Sequence, residues 1–547
     1  MSPLYHEGRK IDLAYNKTLF DYADKLKIRV PTSCGRNGDC HECIVQVKRG
    51  SHGLNLPDFS ESFLRENFRL ACQAKILDID TDMEFSVLRR QPQILTHAMK
   101  RPFKIDPLTT HHQGGVYYNQ ERIDKYRGRI LGIAVDVGTT TVVINLSDLE
   151  TGDVISTTSF ENPQRFGGSD IMHRISYDGG EFKGELKNTI ISAINFEIGE
   201  MTRASNLHRR LIYEVVIVGN TTMRDILFGI NVETIGEKPY KSIIELEMDR
   251  GLRTTTSLNV PAKEIGLRVF PNANVYGGPI LGCHIGADIA ADLLTIAMDK
   301  EEGNVMLVDI GTNTEVIVGN RHRMLAASCP AGPAFEGGEV KYGMPGYEGA
   351  VESVKITKGQ VNFTTIGNTT PNGICGSGLV DLLSELRKSG KMNELGALED
   401  GESEFFFDSE NSLSISRRDI SALAQAKSAN FSGQFIILRN FRESIENINK
   451  LYLSGGFANF IDVENAKNIG FIADIPSERV VKVGNASIEG ATIMLLSGAL
   501  RNAVEQLILN VEHVELETTP DFFDIFVEGC MFKPMVMPNH DFTKQTS

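Results

Sequence analysis

The chain has 547 residues, 41% hydrophobic and 23% charged, with a formal net charge of -15. This composition excludes a disordered chain, and the length allows roughly three or four domains of ordinary size. The acidic excess is spread along the sequence and disfavours non-specific attraction to nucleic acid or to an anionic lipid surface, so neither is an expected partner.

The N-terminus, MSPLYHEGRK, has no apolar signal core, and no stretch reaches the roughly 18 consecutive apolar residues that a membrane span requires. A cytoplasmic protein is expected, and in that compartment disulfides are rare. Within the first 90 residues, GRKIDLAY reads as a strand, TLFDYADKL as an amphipathic helix, and ECIVQVKRG as a strand closing on a glycine turn. Between helix and second strand lies CGRNGDCHEC, and the spacing Cys34-x5-Cys40-x2-Cys43-x28-Cys72 presents three ligands on one loop and a fourth from a distant segment.

Tetrahedral zinc usually takes two short C-x2-4-C knuckles, which this spacing lacks. A [2Fe–2S] cluster takes four thiolates around a larger object, with C-x4-C-x2-C…C as the plant-type spacing. One extra residue in the first gap resembles the adrenodoxin-type variant of the ferredoxin fold. The cluster is the favoured reading, with zinc and unrelated thiols as alternatives. Gly35 and Gly38 allow the loop to turn its N–H groups towards the sulfurs. His41 and Glu42 stand where such ferredoxins often carry glycine. The other cysteines, Cys283, Cys329, Cys375 and Cys530, are expected to be small buried residues.

After FSVLRRQPQ, residues 91–127 contain prolines and no sustained periodicity, which reads as a linker with at most one short helix, Arg89-Arg90 being its solvated edge. From Arg129 onward β-branched runs alternate with helical patterns, as in α/β proteins. One helix, LKNTIISAINFEIGEM, places Ile190, Ile191, Ile194, Ile198 and Met201 on one face.

An internal repeat follows: Asp136-Val-Gly-Thr-Thr-Thr141 reappears as Asp309-Ile-Gly-Thr-Asn-Thr314, each copy between two strand-like runs. A tight turn of small residues offers N–H groups and hydroxyls to a phosphate, and an aspartate before it can hold Mg²⁺ through water. Thr139, Thr140, Thr312 and Asn313 are the expected phosphate contacts, around Gly138 and Gly311. Asp136 and Asp309 are the expected catalytic, Mg²⁺-organising pair. The run LYLSGGFA adds a strand ending in Gly455-Gly456, where missing side chains admit a purine and ribose. No P-loop or strand-linked dinucleotide fingerprint occurs.

Taken together, DVGTTT, DIGTNT and LYLSGGFA resemble the phosphate-1, phosphate-2 and adenosine motifs of the acetate and sugar kinase/Hsp70/actin superfamily. VVIVGNTTM and the stretch around Gly490-Ala491 fall where that superfamily has connecting elements. An N-terminal iron–sulfur domain joined to this fold resembles the reductive activators of corrinoid proteins, the RACo-type family. NPQRFGGSDIMHRI, GADIAADLL, CPAGPAFEGG and GICGSGLVDLL extend the match. Thr314 departs from it, since relatives often have glycine there.

The resemblance implies an α/β multidomain chain: a β-grasp ferredoxin-like domain (1–90), a linker (91–127), a first ATPase segment or middle domain (128–210), and a C-terminal ATPase-like domain (211–547), together a duplicated ribonuclease-H-like fold. It also implies ATP-dependent one-electron reduction of an inactive Co(II) corrinoid protein to Co(I). Cys34, Cys40, Cys43 and Cys72 would hold the cluster, a reductase or ferredoxin would supply the electron, and the chain would be a homodimer. For a one-electron couple about 59 mV is a tenfold change in equilibrium constant, so a low-potential acceptor needs a coupled event such as nucleotide closure. The rival readings are ATP-dependent electron donation to another acceptor, a small-molecule kinase with an iron–sulfur regulatory domain, and a non-enzymatic actin-like or chaperone-like module. Glu336 and Asn220 could reach the nucleotide or serve as turn and cap residues. His173, His284 and His322 lack metal-ligand spacing.

Overall fold

The structure is a computed structural model that describes residues 2–6, 9–88, 100–282, 284–456 and 458–537. Arg89-Arg90 and Cys283 lie outside the described residues.

The N-terminal domain is a mixed five-stranded sheet in which the strands Pro3–His6 and Met83–Val87 run parallel. The helix Leu19–Lys25 packs on it and is started by a capping box in which Thr18 and Asp21 satisfy each other's backbone N–H. The strand Ile44–Arg49 pairs antiparallel with Phe68–Leu70 and with Met83–Val87. The sheet and helix form the β-grasp arrangement expected of the N-terminal domain.

Residues 109–125, inside the stretch expected to be a linker, instead form a three-stranded antiparallel sheet of Thr109–His112, Gly115–Tyr118 and Glu121–Lys125. It is anchored from its start: Thr109 donates to the buried Glu214 at 2.7 Å, and Arg501 donates to the same carboxylate at 2.6 Å. Just upstream, Arg101 holds Asp299 and the Leu294 carbonyl. The strands are four or five residues long, and the first buries one residue, the second two and the third none, which is too little for a period to register in the sequence.

Two six-stranded sheets follow, and five strands of each share one order. In the first, Val154–Glu161, Thr141–Asp148, Leu131–Val137, Ile212–Val218 and Asn274–Gly277 lie side by side. In the second, the corresponding strands are Arg323–Pro330, Asn313–Asn320, Val305–Ile310, Lys450–Ser454 and Val480–Gly484. Each set is an antiparallel meander whose first strand also pairs in parallel with the fourth. The duplicated fold is therefore complete in both halves.

A boundary at residue 210/211 would cut the first sheet, because Ile212–Val218 pairs with Leu131–Val137. A parallel strand buried on both faces reads the same whichever sheet it joins, so its sequence does not announce its partner.

The sheets meet through two helices. Ala287–Thr295 follows the last parallel strand of the first sheet, and Ala486–Leu496 follows that of the second. They cross where a Cβ on Gly490 would lie 2.1 Å from the Ala291 carbonyl oxygen, so glycine alone allows this approach. The helix Glu185–Ala204 buries Ile190, Ile191, Ile194, Ile198 and Met201 as its periodicity predicts, and lies between the first sheet and the ferredoxin-like domain. Cys329 and Cys375 are buried, while Cys530 is half-buried.

Candidate functional site

The register of the ferredoxin-like sheet places the four thiols. Ile44 pairs with Leu70, and the Ala71 N–H donates to the Cys43 carbonyl at 2.8 Å, so Cys72 arrives beside Cys43 with the sulfurs 3.4 Å apart. Cys34 and Cys40 meet across the loop through a thiol hydrogen bond. Burial pushes the Cys34 thiol up. Hydrogen bonds from the Cys40 backbone and thiol and from the Gly38 and Asn37 backbones outweigh it, leaving a value of about 6. The Cys43 hydrogen bond likewise holds Cys72 at about 7, and Gln73 Nε2 donates to its sulfur at 3.2 Å. The thiols thus meet as two pairs, Cys34 with Cys40 and Cys43 with Cys72, close enough to act on one another's charge. The Cys72 hydrogen bond and burial push the Cys43 thiol up. Four thiolates are what a [2Fe–2S] cluster takes.

Gly38 is required twice over. Its φ is +98°, and a Cβ would stand 2.9 Å from Ser60 Oγ. His41 has a φ of 53°, in the left-handed region that glycine adopts most easily. Its ring stacks on Phe63 with centroids 4.1 Å apart, and Nδ1 lies 3.1 Å from Glu185 Oε2 at the start of the helix Glu185–Ala204. Phe63 meets Phe166 edge-on at 5.5 Å, and the Tyr177 hydroxyl donates to the Phe63 carbonyl at 2.5 Å. The cluster loop is thus packed directly on the middle of the chain.

All ten nucleotide residues expected from the sequence line one cavity of about 150 Å³: Asp136, Gly138, Thr139, Thr140, Asp309, Gly311, Thr312, Asn313, Gly455 and Gly456. The two turns face each other across it. Thr140 Oγ1 and Thr312 Oγ1 lie 3.0 Å apart, and both donate to Glu336 Oε2, at 2.7 and 2.6 Å. Glu336 thereby joins the two halves of the repeat. Gly138 and Gly311 turn their own N–H groups inward, onto the Thr141 and Asn313 carbonyls. The N–H groups left to meet a phosphate are those of the residues after them.

The carboxylates are set by sheet and helix together. Asn485 Nδ2 donates to Asp136 Oδ2 at 3.0 Å, and the Ser454 hydroxyl bonds Asp309. Burial raises Asp136 to about 7, with Asp309 adding like charge, and raises Asp309 to about 6, with Glu336 adding to it. Asp288 is raised to about 8 by burial and by both aspartates. Burial and the neighbouring aspartates also raise Glu315 and Asp292 well above the ordinary carboxylate range. Among the described residues no three of these carboxylates form a metal-holding group by themselves, so a hard cation such as Mg²⁺ would be held here through one or two of them together with water and phosphate oxygens.

Asn220 caps the helix Thr221–Phe228 through its Oδ1 and also donates to Thr139 Oγ1 at 3.0 Å, so it is cap and site residue at once. At the adenosine motif the two glycines differ. Gly455 has φ +110°, and a Cβ would fall 2.1 Å from the Ile310 carbonyl oxygen, whereas a Cβ on Gly456 would meet nothing within 4 Å. Gly455 serves the fold, and Gly456 leaves the cavity wall open. Asp288, Glu315 and Asn485 are cavity residues that sequence reasoning missed. GADIAADLL carried the only signal for Asp288, through two aspartates one helical turn apart.

His173 and His322 are exposed and pair with neighbouring acids on the surface. Among the described residues no helix is long and apolar enough to cross a membrane.

Comparison with known proteins agrees with this architecture along the chain. Residues 4–77 match the 2Fe-2S iron-sulfur cluster binding domain, residues 131–301 the RACo middle region, and residues 303–542 the C-terminal domain of RACo, its ASKHA domain. The chain is 26% identical to the corrinoid activation enzyme RamQ of Eubacterium limosum, over 98% of this chain and 99% of that protein. It is 22% identical to a [Co(II) methylated amine-specific corrinoid protein] reductase of Methanosarcina barkeri, over 74% of this chain and 78% of that one. Among solved structures, a reductive activator for corrinoid, iron-sulfur protein superposes with a TM-score of 0.71 at 25% identity, covering 98% of this chain and 99% of that one. With matches to all three parts in the same order, the chain belongs to the RACo family, a ferredoxin domain joined through a middle region to an ASKHA domain.

Proposed function

We propose that the protein is an ATP-hydrolysing iron–sulfur oxidoreductase that returns a corrinoid protein from inactive Co(II) to Co(I) by one-electron reduction. The [2Fe–2S] cluster, when bound by Cys34, Cys40, Cys43 and Cys72, supplies a one-electron store, replenished by an external reductase or ferredoxin. The observation that carries this reading is the direct packing of the cluster loop on the nucleotide-binding body. His41 meets Glu185, Phe63 meets Phe166, and the same Asn162–Gly167 segment that bears Phe166 is tied to the first turn. Asn162 Nδ2 donates to the Gly138 carbonyl at 2.8 Å, and its N–H to the Thr140 carbonyl at 2.7 Å.

Asp136 and Asp309 organise Mg²⁺, Thr139, Thr140, Thr312 and Asn313 take the phosphates, and Gly455 and Gly456 flank the adenosine. Nucleotide draws the two sheets together about the crossing at Gly490, and it can bias the protein only by its differential affinity for open and closed forms. That closure reshapes the surface offered to the corrinoid protein.

The test mixes reduced protein, a Co(II) corrinoid protein and MgATP anaerobically and follows Co(I) absorption. Co(I) should form with ATP and not without it. Cys40→Ala should abolish it while ATP turnover remains. Failure to form Co(I) with an intact cluster and active ATP turnover would overturn the reading.

A further inference from the structure

A second chamber, of about 260 Å³, opens on Thr139 and Thr140 of the first turn and on Glu336. Its walls come from all three parts of the chain. Gln46, Lys48 and Ser86 belong to the ferredoxin-like sheet, Arg165 and Arg174 to the segment after Asn162, and Gly337, Met344 and Tyr347 to the C-terminal part. At roughly 30 Å³ per liquid water, it has room for a tetrahedral oxyanion with several waters.

Arg174 is its unusual wall. The side chain is fully buried, and among the described residues its Nη2 has no hydrogen-bond partner. Nε donates to the Gly168 carbonyl at 3.0 Å, while Nη1 reaches only Met223 Sδ at 3.0 Å and Gln164 Oε1 at 3.5 Å. Burial and then the like charge of Arg165 bring the guanidinium down to about 9, against a smaller opposite pull from Asp170. The chamber's own carboxylates have partners other than Arg174. Glu161 takes Arg165 at 3.0 Å and the Tyr347 hydroxyl at 2.5 Å, and Glu336 takes the two threonines. A buried guanidinium with no carboxylate bonded to it is costly, and an oxyanion is the ligand whose geometry its fork matches.

We infer that this chamber binds orthophosphate released by ATP hydrolysis, held by Arg174, Arg165 and Lys48 after it leaves the two turns. The inference rests on the ATPase reading above. Because Lys48 and Ser86 lie on the ferredoxin-like sheet, the departing phosphate touches the cluster domain before it reaches solvent, and its presence holds the three parts of the chain together.

The test is equilibrium binding of radiolabelled orthophosphate to the full chain loaded with MgADP. Wild type should bind it at millimolar concentrations or below. Arg174→Lys keeps the charge but loses the fork, and should weaken binding roughly tenfold. Lys48→Glu, at an exposed position 4.0 Å from Glu84, should weaken it by about the same factor by facing the anion with a like charge. MgADP affinity serves as the folding control for both, and affinity for a non-hydrolysable ATP analogue should be unchanged in Arg174→Lys. No orthophosphate binding to wild type, or undiminished binding in Lys48→Glu, overturns the inference. So does a loss of analogue affinity with orthophosphate binding intact, which would assign Arg174 to the terminal phosphate of ATP. No corrinoid protein or electron donor enters the measurement, so a failure here leaves the proposed reduction standing, and a failure to form Co(I) leaves this site standing.

Discussion

The two Asp-x-Gly-Thr hairpins are one device built twice, and they differ in register. In the first, Val137 pairs with Val142 and Asp136 with Val143, leaving residues 138–141 to turn. In the second, Ile310 pairs with Thr314 and Asp309 with Glu315, leaving 311–313. The shorter turn puts a carboxylate across the sheet from Asp309, where the first copy has a methyl-bearing side chain, and directly opposed side chains on a sheet are close neighbours. The first aspartate is met by a donor from the start of the second half's helix, Asn485, and the first turn's threonine by another, Asn220. The second half adds acid, with Glu315 beside Asp309 and Glu336 reaching to both turns. A duplicated fold thus holds an asymmetric site: one side rich in amides, the other in carboxylates.

That comparison is tested most strongly at the aspartates themselves. Asp309→Asn should lower ATP turnover roughly a hundredfold, the order of effect that several kcal/mol of lost metal-charge stabilisation produces. Asp136→Asn should also lower it, by less, because Asn485 already supplies a neutral partner there. Steady-state phosphate release measures both. Equal losses would show that the acidic enrichment around Asp309 has no functional weight.

The likeness of the halves extends beyond the hairpins, to two glycines that end the neighbouring parallel strands. A Cβ on Gly219, at φ +150°, would lie 2.5 Å from the Val137 carbonyl oxygen, and one on Gly455 would lie 2.1 Å from that of Ile310, each the residue after the aspartate. Gly219→Ala and Gly455→Ala should therefore each destabilise the fold by about 1–3 kcal/mol of backbone strain, read in thermal unfolding. Gly456→Ala should leave stability unchanged and weaken nucleotide binding alone. An unchanged melting temperature in either of the first pair would break the equivalence.

Those glycines mark where sequence reasoning reached and where it stopped. The cysteine loop was legible because ligand spacing is local, and the hairpins because six residues recur nearly intact. The wider repeat was hidden, since VVIVGN and LYLSGG share little beyond a strand and a glycine. Glu315 and Asn485 enter the cavity through register and through a helix N-terminus far along the chain, and neither leaves a local pattern. His41 was visible only as a departure from a glycine. The structure shows it in glycine's conformation, held there by Phe63 and Glu185, contacts more than 20 residues away in sequence. The three strands after residue 108 were missed because their burial is one-sided and short, and the first sheet's fourth strand was assigned to the wrong half because burial on both faces erases direction.

The smallest effect expected from the asymmetry is a dependence of stability on pH and Mg²⁺. Asp309, Asp136 and Asp288 hold their protons up to about 6, 7 and 8 in the folded chain, well above the ordinary aspartate value. A carboxyl that binds its proton more tightly when folded stabilises the fold below its unfolded pKa, and that contribution is lost as pH rises through the folded value. The metal-free protein should accordingly melt at lower temperature at pH 8 than at pH 6. Added Mg²⁺ should raise the melting temperature more at pH 8, where the carboxylates are ionised and available to it. Glu315→Val gives the second hairpin the apolar partner of the first. Exchanging a buried charge for an apolar side chain is often neutral or stabilising, so the variant should melt no lower than the parent without metal and show a shallower fall with pH. A pH slope unchanged by Glu315→Val would mean that the charge crowding lies with Asp288 and Asp292 on the helix, and the difference between the hairpins would then be one of shape alone.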